Sequence, residues 1–168
     1  MKGGLYQMHT KIYAILPEEV KGKGICARIY TDTTTYIDIK TPELLLDHMY
    51  KAKGKRKKEV DTLIKSLLQI NKNTPYVIDA NNVFFGFKFR RSTYDKSTRG
   101  FANVRYVSHI EDNHIILTTG ESIATLSQFK SLNQNKNHAI TMMLSEMVKD
   151  YENREEMGRF VRGRIIRG

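Results

Sequence analysis

Residues 11–40 read KIYAILPEEVKGKGICARIYTDTTTYIDIK, and three stretches within that run decide the fold class. KIYAIL at 11–16 is a short β-rich run that is predicted to stop at Pro17, before the acidic pair Glu18 and Glu19. KGKG at 21–24 is a turn signal. ICARIYT at 25–31 sets Ile25, Ala27 and Ile29 against Cys26, Arg28 and Tyr30, the period of two expected of a half-buried strand. TTYIDIK at 34–40 alternates again, with Tyr36 and Asp38 opposite Ile37 and Ile39, and Asp32-Thr33 joins the two runs as a hairpin. The first 40 residues therefore predict a β-meander.

The pattern then changes period. Thr41-Pro42-Glu43 opens a helix with a capping hydroxyl, a proline at the first helical position and an acid in the first turn. Leu44, Leu45 and Met49 are its apolar members, and Gly54 interrupts it. A second helix is predicted over about 56–70, with Val60, Leu63, Ile64, Leu67 and Leu68 forming one stripe toward a core. Strands return at YVID (76–79) and VFFGF (83–87), joined by Asn81-Asn82. KFRRSTYDKSTRG (88–100) is polar and basic and predicts a long loop or extended arm. FANVRYVSH (101–109) alternates as one strand, Glu111-Asp112-Asn113 turns the chain, and HIILTT (114–119) and SIATL (122–126) make a further hairpin around Gly120. A helix over about 132–152 closes the fold, with Ile140, Met143, Leu144, Met147, Val148 and Tyr151 along one face, its methionines serving as core filler. The predicted architecture is α+β: antiparallel β-strand groups with a central helical pair and a long C-terminal helix. Residues 1–152 form a single domain, and 153–168 a basic, flexible tail. RFVRGRIIRG in that tail is open to three readings: a disordered arm that touches phosphate, a handle for another protein, or a segment beyond the folded domain.

Composition narrows the function. The chain has 168 residues, 40% hydrophobic and 27% charged, ordinary globular usage rather than that of a disordered chain. One cysteine, Cys26, allows no intramolecular disulfide and fits a reducing compartment. No apolar run approaches the roughly 20 residues that span a bilayer, and MKGGLYQMHTK lacks the apolar stretch of a secretory signal. A cytoplasmic protein with no membrane partner is the expectation. The formal net charge is +10, and it is localised. Residues 51–105 carry fourteen Lys and Arg against four Asp and Glu, whereas the rest of the chain carries fourteen of each. A neutral scaffold with one strongly basic third points to a polyanionic partner.

The catalytic motifs fail. Gly22-Lys23-Gly24 lacks the G-x-x-x-x-G-K-[ST] of a phosphate loop, and no G-x-S-x-G elbow occurs. Cys26 reads as a small buried hydrophobe. His109, Glu111, Asp112 and His114 around one hairpin admit a metal-site alternative, but turn acids are ordinarily solvated and no third histidine lies nearby. The expectation is a non-enzyme with no cofactor and no metal. Two basic clusters remain. Lys51, Lys53, Lys55, Arg56, Lys57 and Lys58 surround the break between the helices. Lys88, Arg90, Arg91, Lys96 and Arg99, with Arg105 beyond them, follow in and after the predicted loop, which also holds Tyr94. Cations at 55–58 oppose the dipole of the helix that they open, at about 0.3–1 kcal/mol each, so they serve something besides helix stability. Phosphate neutralisation by counterion release is the chemistry that such clusters supply. Arg56, Arg90, Arg91 and Arg99 are the candidates for insertion into a narrow minor groove. The same patch also suits RNA, which is the alternative reading.

YAILPEEVKGKGICARIY (13–30) resembles the opening of the bacterial competence transcription factors of the ComK type. PYVIDANNVFFGF (75–87), FANVRYVSHIEDN (101–113) and SLNQNKNHAITMML (131–144) continue the resemblance in the same order, over about residues 11–150. It implies a transcription activator of competence (DNA-uptake) genes. Such an activator binds paired A/T-rich boxes of double-stranded DNA chiefly through the minor groove. The resemblance also implies a dimer that associates further on its site, works with RNA polymerase and is limited by adaptor-guided proteolysis. Arg56 falls where that family has a Gly-Arg-Lys step, here Lys55-Arg56-Lys57, and Lys51, Lys53 and Gly54 replace the small, serine-rich residues before it. The tail after Tyr151 departs from the family pattern.

Overall fold

Strand β1 (Ile12–Val20) runs straight through Pro17 rather than stopping there. Along its length it pairs antiparallel with β2 (Gly24–Thr31), including Pro17 with Ala27 and Glu18 with Cys26. On its other side it meets β6 (Arg99–Asn103) only at Ala14↔Ala102 and Ile15↔Phe101. At Pro17 the strand has a neighbour on one side alone, which is where a residue without an N–H is tolerated. The fold comes from a computed structural model that describes residues 10–91 and 98–167, with side chains as far as Arg159.

β2 turns through Asp32-Thr33-Thr34 into β3 (Thr35–Asp38). The Thr31 hydroxyl holds that turn, accepting from the N–H groups of Thr33 and Thr34 and donating to the Thr34 carbonyl at 2.7 Å. Helices α1 (Pro42–Ala52) and α2 (Lys57–Leu68) follow, and β4 (Tyr76–Asp79) and β5 (Asn82–Lys88) form the next hairpin. Thr41 caps α1 by accepting from the Leu44 N–H at 3.3 Å. Because β6 joins both β5 and β1, the strand groups merge into one six-stranded antiparallel sheet of order β3-β2-β1-β6-β5-β4. A separate three-stranded sheet comprises β7 (Val107–Glu111), β8 (His114–Leu117) and β9 (Ser122–Ala124). Helix α3 (Phe129–Arg167) ends the chain. The protein is α+β.

Each face of the large sheet carries a core. Ile12, Ile15, Ile29, Phe84 and Phe101 pack with Leu45, Leu46 and Tyr50 of α1. Ala14, Phe85, Phe87 and Ala102 pack with the small sheet and with Leu132, Ala139 and Met142 of α3. Val60 of α2 touches both cores.

Five further expectations are corrected. FANVRYVSH is two strands, broken by a turn of 3₁₀ helix at Val104–Tyr106. The buried Asn103 side chain accepts from the Arg105 N–H at 3.2 Å and steers the chain from one sheet to the other. Lys88 and Arg99 are not in a loop but form the last paired rung of β5 and β6. The α2 stripe is only half buried: Ile64 is enclosed and Val60 and Leu68 are partly so, while Leu63 and Leu67 point to solvent. On α3, the core side is Leu132, Ala139 and Met142, with Ile140 and Met143 of the expected face partly buried against it, whereas Leu144, Met147, Val148 and Tyr151 are exposed. That helix also continues to Arg167 rather than ending near 152, so the tail read as a flexible arm is helical in backbone.

Asn103 also donates from Nδ2 to the carbonyls of Ile12 and Asn81, both at 2.9 Å, tying β1 to the β4–β5 turn. Replacing it by Leu strands the buried Ile12 carbonyl and releases that of Asn81. Asn103→Leu is expected to cost about 1–3 kcal/mol, read as a lower denaturation midpoint in urea at unchanged slope.

Candidate nucleic-acid interface

The first basic cluster is built on the sharp corner between α1 and α2. Gly54 stands there at φ +68°, with open space around it, so the corner is set by backbone conformation rather than by packing. Two groups fasten the corner to β4, the edge strand of the large sheet. The Tyr50 hydroxyl accepts from the Val77 N–H at 2.7 Å. The Lys55 ammonium donates to the carbonyls of Ile78 at 2.8 Å and Val77 at 3.4 Å, and lies 3.8 Å from Glu146 of α3. These bonds occupy an edge that would otherwise be open to pairing.

Between the helices lies a cleft of about 550 Å³ whose walls carry Lys40, Lys51, Lys55, Arg56, Lys57 and Lys58. Five of these were expected from the sequence. Lys40 was not, because it belongs to the electrically neutral part of the chain and reaches the site through the β3–α1 connection. Lys53 is not among the lining residues and instead pairs with Asp79 at 3.3 Å. Lys57 pairs with Asp61 and Arg56 with Glu59. Among the described residues, Lys51 and Lys58 make no ion pair. Arg56 is the N-cap of α2 and its side chain accepts no bond there, leaving the first N–H groups of that helix without a side-chain cap. Among the described residues, Asp47 is the one acid that lines the cleft. Burial raises its carboxyl above the ordinary range and Asp61 adds to that, while Lys57 and Lys51 pull it back.

The second cluster reaches the same face of the sheet. The Arg99 guanidinium lies over the Phe101 ring, 5.2 Å from its centroid, and across Gly86, where a Cβ would stand 2.0 Å from one of its nitrogens. Phe101 meets Tyr76 edge-on at 5.4 Å, and the Lys57 ammonium lies 5.2 Å from the Tyr76 ring. Three contacts of similar length thus connect the two clusters through a buried aromatic row. Lys88 and Lys53 stand at opposite ends of the β4–β5 hairpin, about 20 Å apart at the ordinary strand rise. Arg90 is held by Glu19 at 3.6 Å, and Arg91 is exposed. Arg105 is exposed in the 3₁₀ turn between the sheets, away from the cleft lining. Lys96 and Tyr94 lie outside the described residues.

The alternative hairpin site holds no metal cluster. His109 uses one ring nitrogen toward Ser108 Oγ at 2.9 Å and the other toward Glu111 at 3.0 Å. No three His, Cys, Asp or Glu side chains converge among the described residues. Among the same residues, no helix is long and apolar enough to cross a membrane. Comparison with family models, curated proteins and solved structures returned no match to this chain.

Two predictions separate the structural cations from the outward ones. Lys55→Ala removes the ammonium shared by two β4 carbonyls and Glu146, and should lower stability by about 1–3 kcal/mol. Lys58→Ala should change it by less than about 0.5 kcal/mol. Chemical denaturation of both variants reads the contrast. Burial also pushes the Tyr50 and Tyr76 phenols well above the ordinary tyrosine range. The unfolded chain releases these protons from about pH 10 and the folded chain only higher. Stability is therefore expected to hold below about pH 10 and to fall as pH rises beyond it. Tyr50→Phe should blunt that fall while costing stability at neutral pH, followed by phenolate absorbance during unfolding.

Proposed function

We propose that this protein is a sequence-preferring, duplex-DNA-binding transcription activator that reads A/T-rich boxes mainly through the minor groove. The observation that carries the reading is the six-cation cleft at the α1–α2 corner, joined by the Tyr76–Phe101 row to Arg99 on the same face of the sheet. Cations spread over about 20 Å match about six phosphates along one strand. Lys51 and Lys58 are the phosphate contacts that make no ion pair among the described residues. Arg56, whose side chain is 82% exposed, and Arg91 are the groove-inserting candidates. Arg99 and Arg90 act from fixed positions, the one on its ring and the other on Glu19.

Duplex is favoured over single-stranded RNA because the rings of this face are not a stacking platform. Tyr76 is 7% and Phe101 0% exposed, and base stacking needs open rings. The likeness to competence regulators rests on the sequence segments given above. It extends the proposal to activation of DNA-uptake genes by a homo-oligomer working with RNA polymerase.

Fluorescence anisotropy with three probes of equal length tests it: a duplex with two A/T boxes, a G/C-rich duplex, and the matching RNA. The A/T duplex should bind most tightly, lose binding to a minor-groove competitor, and show a log–log salt slope near −5. Lys51→Ala and Lys58→Ala should each reduce the slope by about 1, whereas Arg56→Ala and Arg91→Ala should weaken A/T sites more than G/C ones. Asp47→Asn should tighten binding to every probe. Equal affinity for both duplexes, or preference for RNA, overturns the proposal.

A further inference from the structure

Strand β5 carries a glycine in its interior, between Phe85 and Phe87. Side chains alternate along a strand, so Gly86 falls on the α1 side of the sheet, in one row with the buried Phe84 and with Lys88. A glycine inside a strand forfeits packing and marks the close approach of another group. Here that group is a cation. A Cβ at Gly86 would stand 2.6 Å from Cζ and 2.9 Å from Nε of Arg99, with Nη2 nearer still, so its three nearest neighbours all belong to that guanidinium. The backbone at Gly86 is not left-handed, so conformation does not call for glycine there. The guanidinium also lies over the Phe101 ring, which is 0% exposed.

The strand around Gly86 is held from both edges. Toward β6, Gly86 pairs with Phe101 and Lys88 with Arg99. On the other edge β4 pairs no further along than Phe84, and the chain before and within α3 takes over. Asn135 donates to the Gly86 carbonyl at 3.2 Å, the Lys88 N–H donates to Ser127 Oγ at 2.9 Å, and the Leu126 N–H donates to the Lys88 carbonyl at 2.8 Å. A strand fixed in this way does not yield to a side chain at 86, whereas the far end of an arginine does. We propose that Gly86 is a positioning residue whose missing side chain lets the Arg99 guanidinium lie flat on the sheet, backed by Phe101, as a preset two-pronged contact for one backbone phosphate of the duplex. The inference rests on the duplex-binding reading above and deepens it. Arg99 is half-buried and makes no ion pair among the described residues. A planar guanidinium matches phosphate through paired N–H groups, and one already held in place loses less freedom on binding. Lying flat, it grips the backbone and does not enter a groove.

The test compares Gly86→Ala, Arg99→Lys and the double variant, in the full-length chain, by anisotropy with the A/T and G/C duplexes. Each single substitution should weaken both duplexes equally, by about tenfold, because a phosphate contact carries no base information. The double variant should bind no more weakly than either single one, as expected of two residues that act through one group. Losses that add place the effect of Gly86 elsewhere and overturn the proposal. A loss confined to the A/T duplex makes Arg99 a base contact and overturns it too. A second readout needs no DNA. In proton NMR the Arg99 Nε–H and δ-methylene signals of the unsubstituted chain should be shifted upfield by the Phe101 ring, and Gly86→Ala should return them to their ordinary positions. The urea midpoint of Gly86→Ala should be unchanged or raised, since alanine narrows the unfolded ensemble. A lowered midpoint means that the guanidinium does not give way, and unmoved Arg99 signals mean that Gly86 does not place it; either overturns the proposal whatever the duplexes do. If the signals move as expected and no duplex binds, the duplex reading falls and takes the phosphate role with it, while the placement of Arg99 by Gly86 stands.

Discussion

The two-rung seam between β1 and β6 holds the molecule together. Ala14↔Ala102 faces the core under α3, and Ile15↔Phe101 faces the core under α1. One rung serves each core, so the same short pairing closes both. It joins residues nearly ninety positions apart, and such long-range closure must be repaid by burial. Asn103, one residue beyond the seam, adds the side-chain bonds that fix β1 against the β4–β5 turn. With the seam made, β4 becomes an edge strand, and the edge is where the basic corner is fastened.

That fastening explains why a strongly cationic corner is tolerated. Lys53, Lys55, Arg56 and Lys57 each have a carboxylate within 4 Å, from Asp79, Glu146, Glu59 and Asp61. The four acids lie on three different elements, so neutralising the corner also ties α2, β4 and α3 together. The exposed pair Arg56–Glu59 adds little stability by itself. Lys55 is different, because its ammonium also serves two backbone carbonyls at the sheet edge. The potential left over comes from Lys51 and Lys58 in the lining of the cleft. Asp47 within the cleft moderates that potential.

The sequence carries the element order and the α+β class, because turns, caps and the change from period two to period 3.6 are local signals. It does not carry the break at Val104, since the alternation of FANVRYVSH runs on without interruption. The cause is a side-chain bond of Asn103 and the passage to a second sheet, neither of them visible in a pattern. On α3 the apolar stripe is plain in the sequence, yet the body takes only its edge at Ile140 and Met143 and packs chiefly on the side that includes Asn135 and Glu146. Those two look like surface residues until their partners, the Gly86 carbonyl and Lys55, are in place. At the candidate site the cluster at 51–58 is legible as charge alone. Its division into structural and outward lysines is not, because Asp79 and Glu146 are distant in sequence. Lys40 was missed for the same reason.

The cleft and the outward helix meet at one residue. Glu146 pairs with Lys55 at the corner and marks the point where α3 leaves the body.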